Sequence, residues 1–163
     1  MLKLVQPTAD VFDHWFQESA DRQAEDRAWA EGGDVSTHRA QVSAMIPRLL
    51  PDGKETPGHT FRVAQTEAGA DVAFVWFGIV PGMPSSVKLL FDVYVAPEHR
   101  RKGYARTILT RMLTEMSAEG VEEVLLHARG DNAPALTLYE SLGFMRTETS
   151  PHGKQVQMRL QLG

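Results

Sequence analysis

The residues best suited to chemistry in this sequence form a basic, glycine-containing stretch between positions 93 and 106. Val93-Tyr94-Val95 has the character of a strand, and a helical pattern begins at about Gly103. At such a junction the first amides of the helix have no intrahelical acceptor, and the helix dipole adds partial positive charge. Gly103 and the small Ala105 let an anion approach the main chain. Cationic side chains add charge nearby, namely those of Arg100, Arg101, Lys102 and Arg106. The stretch predicts a pyrophosphate site.

Spacing alone leaves other interpretations of this stretch open. It has neither the Lys-[Ser/Thr] ending of a Walker motif nor a full Gly-x-Gly-x-x-Gly. A run of Lys and Arg is also typical of a helix start that simply faces solvent. A nucleotide-binding module built on the basic turn alone is a further alternative.

Two titratable side chains in predicted strands are candidates for proton transfer. Asp92 lies in an otherwise apolar strand, where a carboxylate costs desolvation unless it has a partner. It is a candidate base, and a structural ion pair would explain it equally well. His127 has a suitable ordinary pKa, although a lone histidine in a strand is more often structural.

A metal site is not predicted. The sequence has no cysteine, and its histidines form neither His-x-x-x-His nor His-Glu-x-x-His. The six histidines are dispersed along the chain: His14, His38, His59, His99, His127 and His152. The lack of cysteine also removes disulfides and thiol nucleophiles.

The elements that position these residues alternate between strand and helix. Hydrophobic periodicity and the Gly and Pro positions predict strands at residues 2–5, 59–66, 71–80, 87–95, 123–127, 143–149 and 156–162. They predict helices from Thr8 to Gly32, from about Ser36 to Pro51, at about 103–119 and at 133–142. This order indicates a mixed α/β fold with an α+β-like meander of strands.

Length and composition fit one globular domain over residues 1–163. The 163 residues are 42% hydrophobic and 23% charged, which excludes overall disorder. Apolar runs are too short to span a bilayer, and the first residues do not resemble a signal peptide, so we expect a cytoplasmic protein without a membrane partner. A net charge of −4 argues against sequence-independent binding of nucleic acid.

Two motifs in this order resemble those of a known family. Arg100-x-x-Gly103-x-Ala105, following Val93-Tyr94-Val95, resembles the acetyl-CoA-binding motif Gln/Arg-x-x-Gly-x-Gly/Ala of the GNAT superfamily of N-acetyltransferases. Asn132-x-x-Ala135-x-x-Leu138-Tyr139-x-x-x-Gly143-Phe144 resembles the superfamily's strand-to-helix segment near the C-terminus. The resemblance covers residues 87–146, and residues 1–86 show no motif of their own.

The resemblance implies a GNAT-type mixed sheet of about seven strands flanked by about four helices. In such a sheet two parallel strands splay apart and hold the pantetheine arm of acetyl-CoA, here against main-chain groups of Val93 and Val95. Amides of residues 101–106 would take the pyrophosphate. The cofactor-binding set implied in this way is Val93, Tyr94, Val95, Arg100, Arg101, Lys102, Gly103, Tyr104, Ala105, Arg106 and Asn132.

The implied activity is transfer of acetyl from acetyl-CoA to a primary amine of a small molecule or peptide. The resemblance gives Tyr139 as the acid that protonates the leaving thiolate, with Asp92 as the candidate base and a main-chain N–H near Val93 as the oxyanion donor. No Gly-x-Ser-x-Gly elbow is present, which favours direct attack in a ternary complex. A non-catalytic acyl-CoA sensor is the alternative function, and a homodimer is left open.

The acceptor is less well specified. Residues 10–34 are the most acidic part of the chain, and Glu18, Asp21 and Glu25 share one helical side. In the family the opening helices help shape the acceptor pocket, so this stripe favours a cationic small molecule, although a solvated helix face explains it as well. Trp76 and Phe77 must face opposite sides of their strand, and one of them is a candidate pocket wall.

Overall fold

A computed structural model describes residues 1–151 and 153–163, and these ranges contain seven strands and four α-helices. The strands are β1 (Lys3–Val5), β2 (His59–Gln65), β3 (Asp71–Ile79), β4 (Val87–Val95), β5 (Glu123–Arg129), β6 (Met145–Thr149) and β7 (Gln155–Gln161). The helices are α1 (Ala9–Glu31), α2 (Val35–Leu49), α3 (Tyr104–Ala118) and α4 (Ala133–Ser141). Short 3-10 turns occupy Gly53–Glu55 and Pro97–His99, which the sequence pattern did not predict.

The strands form one mixed sheet in the order β1-β2-β3-β4-β5-β7-β6. β4 and β5 are parallel, whereas β1 with β2, β3 with β4, β5 with β7 and β6 with β7 are antiparallel. The predicted mixed α/β class is therefore confirmed. No helix within the described ranges has the length and apolar character needed to cross a membrane.

The chain divides into two compact units, one comprising residues 1–6 and 60–163 and the other residues 7–59. The second unit contains α1 and α2. Thr8 caps α1 by accepting a hydrogen bond from the amide of Val11 at 3.4 Å, and α1 ends at Gly32, whose φ is 79°. In α2, Arg39 donates to Asp21 and Gln17 of α1 at 2.7 and 2.6 Å. These bonds tie the two helices together.

The core of the first unit lies on the sheet face that carries α3. Alternate residues of β3, among them Val75 and Phe77, pack there with Leu90 of β4 and Leu126 of β5. From α3 the cluster receives the apolar stripe that the sequence predicts: Ile108, Leu109, Met112, Leu113 and Met116. Successive side chains of a strand point to opposite faces of the sheet. The strand residues adjacent to these core residues therefore face away from α3.

The opposite face of the same strands carries an aromatic cluster. Trp76 stacks on Phe61 with ring centroids 5.4 Å apart and on Phe91 with centroids 4.3 Å apart. Trp76 and Phe77 do face opposite sides, and both are almost completely buried, at 2% and 1% exposure. Both residues therefore have packing roles, and neither is an open pocket wall.

Candidate active site

A gap opens between β4 and β5 on the C-terminal side of Leu90. Within the described residues the parallel ladder joins Val87–Leu90 to Glu123–Leu126, and it ends at the pair Leu90 and Leu126. β4 nevertheless continues to Val95 and β5 to Arg129, each held by its antiparallel neighbour on the other side. Two strands that are paired at one end and separate at the other form the splayed pair that the family resemblance implies.

A β-bulge in β4 marks the start of the gap. Trp76 of β3 lies opposite Asp92, but the next residue, Phe77, lies opposite Leu90, so Phe91 is the extra residue. A bulge increases local twist and bends the strand that carries it. It therefore turns the second half of β4 away from β5. It also places the side chains of Phe91 and Asp92 on the same sheet face as Trp76.

The second half of β4 directs main-chain groups into this gap. The amide of Ala96 donates to the carbonyl of Val72 at 2.9 Å, and opposite residues in an antiparallel pair alternate between bonded and non-bonded pairs. Tyr94 and Asp92 consequently bond to β3. Val93 and Val95 direct their N–H and C=O groups to the side where β5 has separated.

The turn from β4 to α3 has the backbone of an anion site. Gly103 is the N-cap of α3 at φ 75°, and Arg101 also has a positive φ, of 64°. The first intrahelical bond of α3 runs from the amide of Thr107 to the carbonyl of Gly103 at 3.1 Å. The amides of residues 104–106 precede it, so they have no intrahelical acceptor. A non-glycine residue in the left-handed region costs about 1–3 kcal/mol, and such strain is typical of functional sites.

Arg100 closes this turn rather than extending from it. Its Nε donates to the carbonyl of Val95 at 2.9 Å, and its guanidinium carbon lies 5.2 Å from the centre of the Tyr94 ring. The sequence predicts Arg100 as a source of charge for phosphate. The structure shows that its side chain also binds the end of β4 to the start of the turn.

A cavity of about 630 Å³ joins the end of β4, the basic turn and the first turns of α4. Its lining residues are Val93, Tyr94, Val95, His99, Arg100, Arg101, Gly103, Tyr104, Ala105, Arg106, Asn132, Pro134, Ala135, Leu138 and Tyr139. Every residue of the predicted cofactor set is on this wall except Lys102, whose side chain is exposed at the turn. The structure thus brings together residues from two motifs that are about 30 positions apart in the chain.

The wall formed by α4 contains residues that the sequence analysis did not assign. One face of α4 borders the cavity with Ala135, Leu138 and Tyr139, which are spaced as neighbours on a helix. Once Tyr139 is assigned to the site, this spacing identifies the other two as wall residues. Pro134 occupies the first turn of α4. His99, in the 3-10 turn before Arg100, had no signal beyond its proximity to the basic run. Asn132 lines the cavity and also caps α4, because its Oδ1 accepts from the amide of Ala135 at 3.3 Å.

Tyr139 is half-buried where α4 borders the cavity. Its ring makes an edge contact with buried Phe144, with centroids 5.9 Å apart. Burial, and secondarily the negative charge of Asp92, raise the pKa of Tyr139 from 10.0 to about 12. Both effects disfavour the phenolate. The hydroxyl is therefore fully protonated at neutral pH, as a proton donor must be.

Asp92 lies in β4 next to the gap, half-buried on the face opposite α3. It is not on the wall of the cavity, but its charge acts on Tyr139. His127 lies in β5 on the same face as Asp92, and it is also absent from the cavity wall. Desolvation lowers the pKa of His127, and the carboxylate of Glu148 acts in the opposite direction. Of the two candidate bases, Asp92 is the one that interacts with Tyr139.

The remaining predictions concern charge and metals. On the acidic side of α1, Asp21 is paired with Arg39 at 2.7 Å, so Arg39 neutralises one carboxylate of the stripe. Among the residues the structure describes, no group of three or more potential ligands could hold a metal ion. His152, one of the six histidines, lies outside the described residues.

Comparison with known proteins identifies the family. Residues 13–144 match the acetyltransferase (GNAT) family. Because this match covers most of the chain, the protein belongs to that family. The fold and the family that the two motifs predicted are thereby confirmed.

Individual relatives agree with this assignment. The chain is 30% identical over 100 residues to the uncharacterized N-acetyltransferase YycN of Bacillus subtilis. This matched region covers 61% of this chain and 64% of the relative. It is 42% identical over 55 residues to the [ribosomal protein bS18]-alanine N-acetyltransferase of Escherichia coli, 34% of this chain and 37% of the relative. The matched regions thus span less than two thirds of either relative.

Solved structures show the same fold. The crystal structure of YycN from Bacillus subtilis superposes with a TM-score of 0.81 at 23% identity and covers 91% of this chain and 95% of that one. PaiA N-acetyltransferase of Thermoplasma acidophilum, solved in complex with coenzyme A, superposes with a TM-score of 0.70 at 15% identity and covers 99% of both chains. At these identities the likeness concerns the fold alone.

Proposed function

We propose that this protein is an acetyl-CoA-dependent N-acetyltransferase that transfers acetyl to a primary amine by direct attack in a ternary complex. The observation that carries the proposal is a cavity lined by residues at the start of α3, by the end of β4 and by Tyr139. A long donor with a diphosphate at one end and a reactive thioester at the other needs these three features in this order.

The residues at the phosphate end fit coenzyme A. The amides of residues 104–106 lack intrahelical acceptors, the N-cap is a glycine without a side chain, and Arg101 and Arg106 are on the same wall. A phosphate at a helix N-terminus is stabilised by these donors and by the helix dipole. A volume of about 630 Å³ is also in the ordinary range for a cofactor site.

The open edge of β4 fits the pantetheine arm. Val93 and Val95 direct their main-chain groups into the gap, where an amide-containing chain can bond to them as an additional strand would, with the Val95 carbonyl shared with Arg100. Binding of this kind fixes how far the arm extends along β4. It brings the thioester to the bulge, beside Asp92.

The reacting groups lie at that end of the gap. Bound acetyl-CoA supplies a thioester carbonyl for attack by an amine. We assign Asp92 to accept the ammonium proton, directly or through water, because it is the carboxylate of β4 beside the gap. The N–H of Val93 stabilises negative charge on the carbonyl oxygen. Tyr139, which is protonated at neutral pH, donates its proton to the departing sulfur.

The acceptor is a primary amine of a small molecule or peptide. The relatives' names include an enzyme that acts on the alanine of ribosomal protein bS18. Within this class a cationic small molecule is the first candidate because residues 10–34 are acidic, although in α1 Arg39 pairs with Asp21 and His14 lies 3.7 Å from Glu18. We therefore propose a primary amine as the acceptor class, and cationic amines are the first compounds to test.

Thiol release from acetyl-CoA tests the activity directly. The chain contains no cysteine, so a thiol-reactive dye has no background from the protein. Pools of polyamines, aminoglycosides, amino acids and short peptides are assayed with the wild type and with Tyr139→Phe. We expect amine-dependent release that falls by about a hundredfold in kcat in the variant, because it loses the general acid but keeps the ring on Phe144.

Thr137→Ala is the matched control, because it removes a hydroxyl from the exposed side of the same helix. It should leave kcat unchanged. Calorimetric binding of CoA to Tyr139→Phe should match that of the wild type. CoA binding without release in any pool would favour the non-catalytic sensor, and failure to bind CoA would contradict the assignment of the basic turn.

A further inference from the structure

The gap between β4 and β5 has a closed end. Hydrogen-bonded strands lie about 4.8 Å apart, which leaves no room for another chain between them. The ladder is complete up to the pair Leu90 and Leu126. Val93 and Leu90 lie opposite residues only two positions apart on β3, so a ligand that enters along β4 reaches a barrier about 7 Å beyond Val93, at the rise of a strand. Its terminal group must stop there or leave the plane of the sheet.

The α3 side of the sheet offers no exit at this point. Leu90 and Leu126 direct their side chains to that face and are 5% and 1% exposed. Both belong to the core cluster that contains Phe77 and Met112. Protein cores are packed at the density of organic crystals, so this side has no space for added methylenes.

The other side of the sheet is occupied by Phe91. The bulge places this side chain beside Asp92, at the residue where the gap begins. Trp76, its neighbour on β3, stacks against the ring at 4.3 Å with an interplanar angle of 12°. This stacking holds the Phe91 ring on the face opposite α3, at the residue where the gap begins. Trp76 is itself 2% exposed, so the ring that supports Phe91 is closely packed.

We propose that Phe91 sets the length of the acyl group that the donor can carry, and that the site takes acetyl and propionyl but excludes longer chains. This inference rests on the proposed function, because it concerns the thioester end of the same site. Phe91 acts as a specificity-determining residue: it lies on the face opposite α3, toward which a longer chain would turn at the closed end of the gap.

Binding of acyl-CoA thioesters tests the proposal without knowledge of the acceptor. Dissociation constants of CoA, acetyl-CoA, butyryl-CoA and hexanoyl-CoA are measured by calorimetry for the wild type, Phe91→Ala and Phe91→Leu. We expect the wild type to bind acetyl-CoA at least about tenfold more tightly than hexanoyl-CoA, since a misfit of even one methylene in a shaped pocket costs that much. Phe91→Ala should remove most of this difference, and Phe91→Leu part of it.

Phe61→Ala is the matched control. Phe61 stacks on Trp76 in the same aromatic cluster, but it lies on β2, two strands away from the gap. Its removal should lower stability without changing the preference for acetyl over hexanoyl. If Phe91→Ala does not fold, Phe91→Leu decides the question.

The outcomes separate the two proposals. CoA binding with equal affinities for all thioesters in the wild type, or an unchanged preference in a folded Phe91 variant, would overturn the length restriction and leave the transferase standing. Absence of binding by CoA itself would overturn both. A preference for acetyl that disappears in Phe61→Ala as well would assign the effect to the whole aromatic cluster and contradict the role of Phe91.

Discussion

Tyr139 occupies a position where loss of its proton is opposed twice, by burial and by the charge of Asp92. Burial is the larger effect, because a phenolate loses hydration when it leaves water. The negative charge of Asp92 adds repulsion to the phenolate. These two effects keep the phenol neutral and predict that Tyr139 titrates at unusually high pH.

Alkaline titration of the tyrosinate absorbance checks this. The chain has only three tyrosines, so single steps can be assigned with variants. We expect one step near pH 12 that is missing in Tyr139→Phe. In Asp92→Asn the step should move to lower pH, because removing a negative charge eases loss of the proton. A Tyr139 step near pH 10 in the wild type would contradict the buried environment.

The raised pKa of Tyr139 also makes the stability of the fold depend on pH. Between pH 10 and about 12 the unfolded chain loses the Tyr139 proton while the folded chain keeps it. The folded state then binds more protons than the unfolded state, so the free energy of unfolding decreases as the pH rises through this window. Below pH 10 both states are protonated, and Tyr139 contributes no pH dependence.

At the scale of single elements, the turn from β4 to α3 depends on Gly103. Its φ of 75° lies in the left-handed region, and an added Cβ would meet no atom within 4 Å. The cost of Gly103→Ala is therefore that of backbone strain alone, about 1–2 kcal/mol. We expect the free energy of unfolding in urea to fall by this amount and CoA affinity to fall as well, since the helix amides shift.

Gly69→Ala provides the control for this prediction. Gly69 lies in the connection between β2 and β3 at φ 86°, also with no atom within 4 Å of an added Cβ. It should lose a similar amount of stability while binding CoA like the wild type. Equal loss of CoA affinity in both variants would mean that stability, and not the turn, determines binding.

At the scale of the whole molecule, the connectivity predicts how the chain unfolds. Residues 7–59 form their own compact unit, but they are inserted between β1 and β2, which pair with each other through Lys3–Val5 and Val63–Gln65. Both ends of the insertion are thus fixed to one sheet. We propose on this basis that residues 1–163 form a single domain in the thermodynamic sense.

Scanning calorimetry with and without CoA checks this proposal. We expect one cooperative transition, and a CoA concentration about 100 times the dissociation constant should raise Tm by roughly 5–10 °C through mass action. Gly103→Ala should show a smaller rise at the same CoA concentration. Two separate transitions, with only one moved by CoA, would show that the units unfold independently.

Local patterns in the sequence were enough to predict the order of elements and the fold class, and they also supply the prediction of a phosphate site at the basic turn. These depend on local properties: the apolar period of α3, the Gly and Pro positions, and the types of residue between Val93 and Arg106. Tyr139 was also assigned from sequence, through its place in the second motif, and its role as the acid stays a prediction. Local patterns are sufficient to predict a feature when the residues that form it are close together in the chain.

How these parts meet depends on contacts between segments that are distant in the chain. The bulge at Phe91, the end of the β4–β5 ladder at Leu90 and the bond from Arg100 to Val95 depend on which residues of distant segments lie opposite each other. A single sequence does not contain that register, because one extra residue in a strand changes the face of every side chain after it. For the same reason the influence of Asp92 on Tyr139 emerged only when β4 and α4 were brought together.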